Sequence, residues 1–378
     1  MNPNGKSLMT DSLPSQVLNQ LNANAQNRLS QSNILVGFDG FIDTILHVVD
    51  KRESTEKFTR LAKMGSFAKR VDAAAGHSAN IECVTQMVKL GGNGPIMANA
   101  LGAYGAPITY IGNLGSPALH PVFADFAERA TVHSIAEPGY TDAVEFNDGK
   151  LMFGKHESLK QVNWSNLIKH IPEATLLRIF SDSQLIALVN WTMLTCMTDI
   201  FQKILTRIAP KLKGPKRWLF LDLADPAKRT AADIQALLNL VTKFEKYFNV
   251  ALGLNLQESR QIGDVLEIGL KNDSFEEVTS HAAKIRQALA INTVVIHPTA
   301  FAAAADSTGA THVVGPLTHT PKITTGAGDH FNAGFCIGRL LGLDLSASLQ
   351  IGVATSGYYV RYAKSPHLAD LKKFLKSL

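Results

Sequence analysis

A glycine-rich segment near the carboxyl end of the chain reads Thr324-Thr325-Gly326-Ala327-Gly328-Asp329-His330-Phe331-Asn332-Ala333-Gly334-Phe335. Gly326 and Gly328 have no Cβ, so the backbone can turn sharply and a ligand can approach it closely. The N–H groups of a helix's first turn have no acceptor within the helix, and together with the helix dipole they form an anion site. The same dipole favours Asp329 as a carboxylate. The segment therefore predicts a base beside a phosphate cradle, as in a phosphotransferase. The alternative is a plain helix that merely begins with these residues.

The overall composition is that of an ordinary globular protein. With 378 residues, the chain can form one large α/β domain or two smaller ones, and its hydrophobic content of 46% and charged content of 18% are unexceptional. Lys and Arg are scattered and the net charge is only +5, so we expect no nucleic-acid partner. The small positive excess would help to attract an anionic cosubstrate.

Cysteine usage and hydropathy indicate a cytoplasmic protein. Cys83, Cys196 and Cys336 are far apart and form no CxxC pair, so neither a zinc site nor a disulfide framework is predicted. The most apolar run, at residues 185–197, is broken by Asn190 and several threonines and is too short and mixed to span a membrane. The first residues lack the pattern of a signal peptide. We therefore expect no membrane partner.

Short apolar runs alternate with helical patterns along most of the chain. Such a rhythm is typical of parallel strands joined by helical crossovers in an open α/β sheet. Ligands bind beyond the carboxyl ends of the strands in such sheets. The predicted strands lie at residues 33–38, 107–111, 185–189, 218–222, 250–254 and 293–296. The polar residues expected at their carboxyl ends are Asp39, Asp43, Asp222, Asn255 and His297. Of these, we expect Asp222 to shape an Asp-Pro turn with Asp225 rather than to touch a ligand.

Three other segments stand apart from this rhythm. Residues 1–32 are rich in Asn, Gln and Ser, and form an N-terminal extension that is either a short helix or a loosely held terminus. Residues 50–75 are charged, which indicates an excursion from the main fold. The alternative is a solvated loop or helix. Residues 143–146 and 150–153 flank Asn147-Asp148-Gly149, a strong hairpin signal. Such a hairpin could cover a site as a lid.

The segment at 324–335 resembles the C-terminal signature of the ribokinase-like (PfkB) family of carbohydrate kinases. Other features follow in the family's order, so that the resemblance covers roughly residues 33–365. They are residues 37–43, similar to a first strand that ends in a substrate-binding aspartate, the di-glycine segment Gly91-Gly92-Asn93-Gly94, the hairpin at 143–153, placed like the family's lid strands, and Asn255-Leu256-Gln257-Glu258, which matches the NxxE motif.

The resemblance implies a ribokinase-like three-layer α/β/α fold with a mostly parallel central sheet and a small β-rich lid. The kinase domain would span residues 33–378, with lid segments at approximately 44–88 and 138–158. The implied activity is ATP-dependent transfer of the γ-phosphoryl group to a hydroxyl of a small sugar. ATP and Mg²⁺ would be required, together with a monovalent cation in some members, and the assembly would be a homodimer through the lid.

Roles for individual residues also follow from the resemblance. Asp329 would be the catalytic base, and the N–H groups of Gly326, Ala327, Gly328 and Asp329 would form the anion hole. The residues that would hold substrate hydroxyls are Asp43, Gly92, Asn93 and Asp39, although Asp39 could instead cap the turn at Gly40. The residues that would contact the nucleotide are Thr324, Thr325 and Asn255.

The NxxE pair would organise the metal. Glu258 and Asn255 are implied to hold magnesium through water, and the alternative for both is a strand-to-helix cap. These roles suit the chemistry, because phosphoryl transfer needs alignment and charge stabilisation more than covalent catalysis. Preorganised N–H donors supply the stabilisation, a carboxylate can take the hydroxyl proton, and a lid excludes water.

Two other functions remain open. The first is a nucleoside kinase of the same fold, for which Phe67, Phe146 and Phe153 are candidates to stack on a base. The second is a kinase-like protein that binds sugar without transferring phosphate.

Some positions depart from the family's usual pattern. Ile323 stands where an acid usually precedes the signature, and Ile96 stands where an asparagine usually follows the di-glycine. Residues 297–301 replace a glycine-bearing loop. His330 replaces a small residue beside the predicted base, and we expect it on the helix surface or in contact with phosphate. Nucleotide, metal and sugar contacts are therefore expected to differ from those of the family.

Overall fold

Residues 12–378 are described by a computed structural model. Its strands are β1 Ile34–Phe38, β2 Phe41–Arg52, β3 Phe58–Arg60, β4 Cys83–Gly91, β5 Ile108–Gly112, β6 Ala130–Ser134, β7 Gly139–Phe146, β8 Gly149–Lys155, β9 Leu185–Leu188, β10 Arg217–Asp222, β11 Phe248–Leu254, β12 Thr293–Ile296, β13 Phe301–Asp306 and β14 Gly309–Val314.

Its α-helices are α1 Leu13–Gln20, α2 Ala23–Ser30, α3 Met64–Asp72, α4 Asn93–Ala103, α5 Ala124–Ala127, α6 Trp164–His170, α7 Glu173–Asp182, α8 Met197–Lys203, α9 Ala231–Phe244, α10 Leu256–Val265, α11 Phe275–Leu289, α12 Ala327–Leu340, α13 Leu345–Tyr362 and α14 Leu368–Leu375. A π-helical turn follows α8 at Ile204–Ile208.

The large sheet has nine strands in the order β14-β13-β12-β11-β10-β9-β1-β5-β6. All neighbours from β12 to β6 are parallel, whereas β13 and β14 add an antiparallel edge. Every residue of β1, β9 and β12 is buried, as expected for parallel strands covered on both faces. The predicted mostly parallel sheet is confirmed. The β13–β14 hairpin was not predicted.

Helices cover both faces of this sheet and give it two cores. Along β1, Leu35 belongs to one core, and its neighbours Ile34 and Val36 belong to the other, because successive side chains of a strand point to opposite faces. The second core also contains Val17 and Leu29 from the first two helices, both fully buried. The N-terminal extension is therefore helical from Leu13 onward, as the first of the two alternatives predicted. Residues 1–11 lie outside the described part of the chain.

A second, smaller sheet has the strand order β3-β2-β7-β8, with β4 paired to β2. The predicted hairpin is present, since β7 and β8 pair antiparallel around Asn147 and Asp148. The charged excursion at residues 50–75 contributes β3 and α3. One sequence expectation is corrected here: β1 ends at Phe38, so Asp43 does not end the first strand but lies within β2.

Within residues 12–378, no helix combines the length and apolar character needed to cross a bilayer.

Candidate active site

Two cavities flank the amino end of α12. The lid cavity, of 360 Å³, lies beside the small sheet, and its lining includes Asp43, Asn93 and Asp329. The edge cavity, of 420 Å³, lies toward β12 and β13, and its lining includes Asn255, Thr324, Ala327 and Gly328. The turn that begins α12 thus separates the two cavities and contributes residues to both.

The conformation of this turn depends on Gly326. This residue caps α12 with φ 89° and ψ 3°, a left-handed conformation that glycine adopts without strain. The N–H of Ala327, which the resemblance implies in the anion hole, instead donates to the carbonyl of Thr324 at 3.1 Å. Because first-turn N–H groups lack intrahelical acceptors and Gly326 N–H donates to no backbone carbonyl, the N–H groups of Gly326, Gly328 and Asp329 are the remaining donors for an anion.

Asp329 is almost completely buried in the first turn of α12, with 8% exposure. Its Oδ1 accepts a hydrogen bond from Nδ2 of Asn93 at 2.9 Å. Burial raises the pKa of Asp329 to about 7, against the opposing effect of that hydrogen bond, and the negative charges of Asp39 and Glu258 add to the rise. A base works best when its pKa lies near the operating pH, so this environment suits proton abstraction.

Asp39, just beyond the end of β1, is fully buried and does not line the lid cavity. Its carboxylate accepts the backbone N–H groups of Asn93 and Gly94 at 2.9 and 2.8 Å and Nδ2 of Asn190 at 2.7 Å. Burial raises its pKa to about 6. Asp39 therefore caps the start of α4 and orients Asn93. The carboxylate thus caps α4 rather than the turn at Gly40, and the direct contact of Asp39 with substrate stays a prediction.

The di-glycine segment fits around the two aspartates. A Cβ at Gly91 would lie 2.6 Å from the carboxylate of Asp43, and a Cβ at Gly94 would lie 2.5 Å from Oδ1 of Asp39. Gly92 has φ 98°, a conformation that side chains rarely tolerate. Larger residues here would displace the carboxylates or the turn.

Asp43 lies on β2 opposite Lys89 of β4, and it lines the lid cavity. Its burial raises the pKa of the carboxyl, while Lys89, the Thr141 hydroxyl and Lys150 oppose the rise. The side chain is therefore an acceptor with nearby positive charge. It is available to a hydroxyl group of a ligand.

The NxxE pair forms the capping box that was the alternative interpretation. Asn255 Oδ1 accepts the N–H of Glu258 at 2.9 Å, and Glu258 Oε2 accepts the N–H of Asn255 at 2.8 Å. Oε1 of Glu258 also accepts the N–H of Asp225 at 2.9 Å. Asn255 lines the edge cavity in addition. The cap therefore holds both side chains at the carboxyl end of β11.

Asp222 lies near Glu258 and Asp329, although it lines neither cavity, and the sequence interpretation did not place it at the site. It accepts the N–H of Ala224 at 3.0 Å, as the turn-shaping prediction requires, and also Nδ2 of Asn332 at 2.8 Å. Burial raises its pKa well above the ordinary value, and the nearby negative charges of Glu258 and Asp329 raise it further. An acid at the carboxyl end of a strand was the available signal, but its neighbours could not be seen in the sequence.

The acidic group of Asp222, Glu258 and Asp329 bears on the magnesium that the resemblance implies. Within residues 12–378, no three His, Cys, Asp or Glu side chains are placed to hold a metal directly. Asp222, Glu258 and Asp329 are nevertheless close enough for their negative charges to raise pKa values in the group. Since Mg²⁺ usually retains several waters and binds through one or two carboxylates plus phosphate, the residues fit an ion held through water.

Two histidines occupy positions where the chain departs from the resemblance. We expected His330 on the helix surface, but the side chain is only 2% exposed, because α12 is covered by α13. His297 lines the edge cavity and packs on Phe331 with ring centroids 4.8 Å apart. Burial of the ring lowers the pKa of His297 to about 4. Buried histidine rings therefore stand where the family usually has a small residue and a glycine-bearing loop.

Several other residues line the lid cavity. Thr325, which the resemblance implies as a nucleotide contact, lines this cavity rather than the edge cavity, and Nζ of Lys150 lies 3.5 Å from its hydroxyl. Ile96 lines it where the family usually has asparagine. The lining residues that the sequence interpretation missed include Phe41, Thr141, Met152, His156, Asn190, Met193 and Lys228.

Similarity to known proteins shows the family of this chain. A family model described as prokaryotic ketohexokinase matches residues 11–378. The chain belongs to this family. It is accordingly a sugar kinase, a phosphotransferase with a hydroxyl acceptor, and the predicted resemblance to ribokinase-like (PfkB) kinases is confirmed. A curated ketohexokinase from Haloferax volcanii is 29% identical over 349 residues, which cover 92% of each chain.

Two solved structures share the fold. Arabidopsis thaliana ribokinase complexed with ribose and ATP has a TM-score of 0.63 at 15% identity, covering 92% of this chain and 99% of that one. Phosphofructokinase-2 from Escherichia coli in complex with substrates and products has a TM-score of 0.63 at 14% identity, with the same coverage. The ribokinase-like fold class is therefore confirmed.

Proposed function

We propose that this sugar kinase uses ATP to phosphorylate a hydroxyl group of a free ketohexose, with Asp329 as the base. The position of Asp329 carries the proposal, because it lines the lid cavity while the preceding Ala327 and Gly328 line the edge cavity. An acceptor hydroxyl in the first cavity and a phosphoryl donor in the second would meet at the amino end of α12. The ketohexokinase relative and the ribokinase bound to ribose and ATP support the two ligand classes.

The proton transfer follows from the hydrogen bonds of Asp329. Asn93 occupies Oδ1, so Oδ2 is left to accept the proton of the sugar hydroxyl. As this proton leaves, the hydroxyl oxygen forms a bond to the γ-phosphorus, and the bond between that phosphorus and the bridging oxygen of ADP breaks. The N–H groups of Gly328 and Asp329 then stabilise the charge on the transferring phosphoryl group.

Glu258 and Asp222 would hold magnesium through water, with Asn255 beside them at the edge cavity. When bound, the ion supplies positive charge that stabilises the phosphate groups. Asp222 is in turn oriented by Nδ2 of Asn332 from α12. Asp222 is therefore linked by a hydrogen bond to the helix that carries the base.

The charges around the lid cavity favour an uncharged sugar over a sugar phosphate. Lys228 pairs with Asp225 at 3.3 Å and Lys150 pairs with Glu145 at 3.1 Å, while Lys89 is opposite Asp43. Each of these cations is already opposed by a carboxylate. A second phosphate would thus find no unopposed lysine among them.

The phenylalanines proposed to stack on the base of a nucleoside lie outside the lid cavity. Phe67 packs against Phe146 inside the small sheet's own core, with ring centroids 5.5 Å apart. Phe153 is 50% exposed, and none of the three lines the lid cavity. A sugar is therefore the better-supported acceptor.

We also propose a cytoplasmic homodimer joined through the lid, without nucleic-acid or membrane partners. Four large apolar side chains of the small sheet are at least half exposed, as expected for a surface that another subunit covers. They are Met87, Val88, Met152 and Phe153. Sedimentation of the wild type and of a variant with Met87 and Phe153 changed to serine would test the assembly, and a monomeric wild type would refute it.

An ADP-release assay over free ketohexoses, aldohexoses, hexose phosphates and nucleosides tests the activity. We expect magnesium-dependent turnover of fructose and loss of turnover in Asp329→Asn. No turnover on any sugar, together with an Asp329→Asn variant indistinguishable from the wild type, would reject the kinase. Calorimetric binding of sugar without binding of nucleotide would instead favour the sugar-binding alternative.

A further inference from the structure

A stacked pair of aromatic rings lies behind the turn that begins α12. The rings of His330 and Tyr359 have centroids 3.5 Å apart and planes inclined by 13°. His330 is on α12 and Tyr359 is on α13, and both are buried. Neither ring lines the lid cavity or the edge cavity. The pair can therefore influence a ligand only through the turn that it contacts.

Both rings donate hydrogen bonds to the backbone of the turn. Oη of Tyr359 donates to the carbonyl of Thr325 at 2.9 Å, and Nδ1 of His330 lies 2.7 Å from the carbonyl of Gly326. A carbonyl only accepts, so Nδ1 carries the proton. Burial lowers the pKa of His330 to about 4, so the ring is neutral and Nε2 accepts from Oγ of Ser365 at 2.9 Å. A hydrogen-bonded path thus leads from Ser365 to Gly326.

These contacts use the carbonyl side of the turn. The carbonyl of Gly326 accepts a second hydrogen bond, from the backbone N–H of His330 at 3.1 Å, which occupies both of its lone pairs. The carbonyl of Thr324 accepts the N–H of Ala327. With Tyr359 on Thr325, every carbonyl of residues 324–326 has a donor from within the protein.

A monovalent cation at this turn would need the same oxygens. Backbone carbonyls are the ligands that replace the water shell of such an ion. Ile323, at the head of the turn, offers no carboxylate in addition. A cation at this turn would therefore have no carboxylate to neutralise it, and it would have to share the carbonyls of Thr324 and Thr325, which keep one lone pair each, with hydrogen bonds that the protein already makes.

We propose that His330 and Tyr359 take the place of a cation as positioning residues for the anion hole, an inference that rests on the proposed kinase function of this site. They hold the carbonyl oxygens of Thr325 and Gly326 away from the substrate, so that the N–H groups of Gly328 and Asp329 face the transferring phosphoryl group. Gly326 is left-handed and would otherwise be the most mobile part of the turn. Preorganised donors stabilise a transition state because they need no reorganisation during the reaction.

The first test measures wild-type kinetics with fructose in potassium, sodium and tetramethylammonium buffers. We expect kcat to agree within about twofold among the three. Activation by potassium of more than about fivefold over tetramethylammonium would overturn the proposal, because a cation would then be completing the turn. The affinity for a non-hydrolysable ATP analogue is measured by calorimetry in the same buffers. If no sugar is turned over, the kinase function is rejected, and the dependence of this affinity on the cation still tests whether the turn needs a cation.

The second test removes the tyrosine hydroxyl. We expect Tyr359→Phe to lower kcat about tenfold, the loss of one hydrogen bond of about 1.4 kcal/mol, with the KM for fructose unchanged. Tyr358→Phe is the matched control, because Tyr358 packs on Tyr362 and Phe374 rather than on the turn. Affinity for the ATP analogue should fall in the first variant and not in the second. Equal effects of the two substitutions on kcat and affinity would overturn the proposal.

A third test uses conservative rescue at the histidine. Asparagine can place Nδ2 where His330 has Nδ1, so His330→Asn should retain most of the kcat that His330→Ala loses. Thermal unfolding of both variants separates loss of folding from loss of positioning. A His330→Asn variant that folds but is as slow as His330→Ala would contradict the positioning role.

Discussion

Replacing the base should reduce activity and increase stability at the same time. The pKa of Asp329 rises from 3.8 to about 7 on folding, chiefly because the carboxyl is buried. The native state therefore binds this proton more tightly than the unfolded chain does. The stability that the proton contributes is present at low pH and is lost as the pH rises through about 7. Asparagine has the same shape, cannot ionise, and can still accept from Asn93 through Oδ1.

The size of the effect follows from the two pKa values. Since one pKa unit corresponds to about 1.4 kcal/mol, the raised pKa of Asp329 costs the native state, relative to the unfolded chain, about 4 kcal/mol at pH 8 and about 2 kcal/mol at pH 5. The stability of Asp329→Asn relative to the wild type should therefore increase by about 2–3 kcal/mol between pH 5 and pH 8. Activity should fall by a factor of about 10² to 10⁴, the usual contribution of a general base.

Guanidinium unfolding of both proteins at the two pH values measures the first quantity, and the ADP-release assay measures the second. In the wild type, kcat/KM for fructose should rise with pH and level off above about 7, the pKa of the free base. A stability difference that is the same at pH 5 and pH 8 would show that Asp329 ionises in the native protein as it does in the unfolded chain. The pKa argument would then be wrong, whatever the loss of activity.

Other substitutions test the remaining parts of the site. Gly91→Ala places a methyl group against the Asp43 carboxylate and should raise the KM for fructose at least about tenfold. Gly65→Ala is the control and should leave the KM unchanged, because its added methyl group would meet no atom within 4 Å. Equal KM values for the two variants would exclude Asp43 as a sugar ligand. Glu258→Gln should raise the magnesium concentration needed for half-maximal activity at saturating sugar, and an unaltered magnesium titration would limit Glu258 to capping α10. Leu21→Ala should destabilise the protein by about 2–5 kcal/mol in guanidinium unfolding, since Leu21 is fully buried, and a change below about 0.5 kcal/mol would show that the first helices do not belong to the core.

The strands and hairpins show which parts of the fold a sequence pattern could predict. Apolar runs predicted six of the seven parallel strands of the large sheet, because strands covered on both faces are rich in apolar residues. The seventh, the edge strand β6, was missed because none of its residues is fully buried and its sequence has no apolar run. The hairpin at Asn147 and Asp148 was equally local. The β13–β14 hairpin was missed, since its alanine-rich run has no distinct period-two pattern.

The partners of the candidate site could not be predicted in the same way. Asn93 and Asp329 are 236 positions apart, and Asn190 and Asp39 are 151 apart, so their hydrogen bonds exist only after the sheet has formed. Asp222 was predicted only as a turn residue, and it is the fold that places it near Glu258 and Asp329. Spacing along the chain carries no information about such pairs.

For the segment at 324–335, the amino acids alone determined a glycine turn, a helix start and an acid in its first turn, because each depends on backbone geometry within a few residues. Tertiary structure decided the rest. It placed the turn between two cavities, raised the pKa of Asp329 to about 7, and buried His330 against Tyr359. The physical reason is that burial and electrostatic interaction depend on distances in space, which only the packing of α12 between α4 and α13 sets.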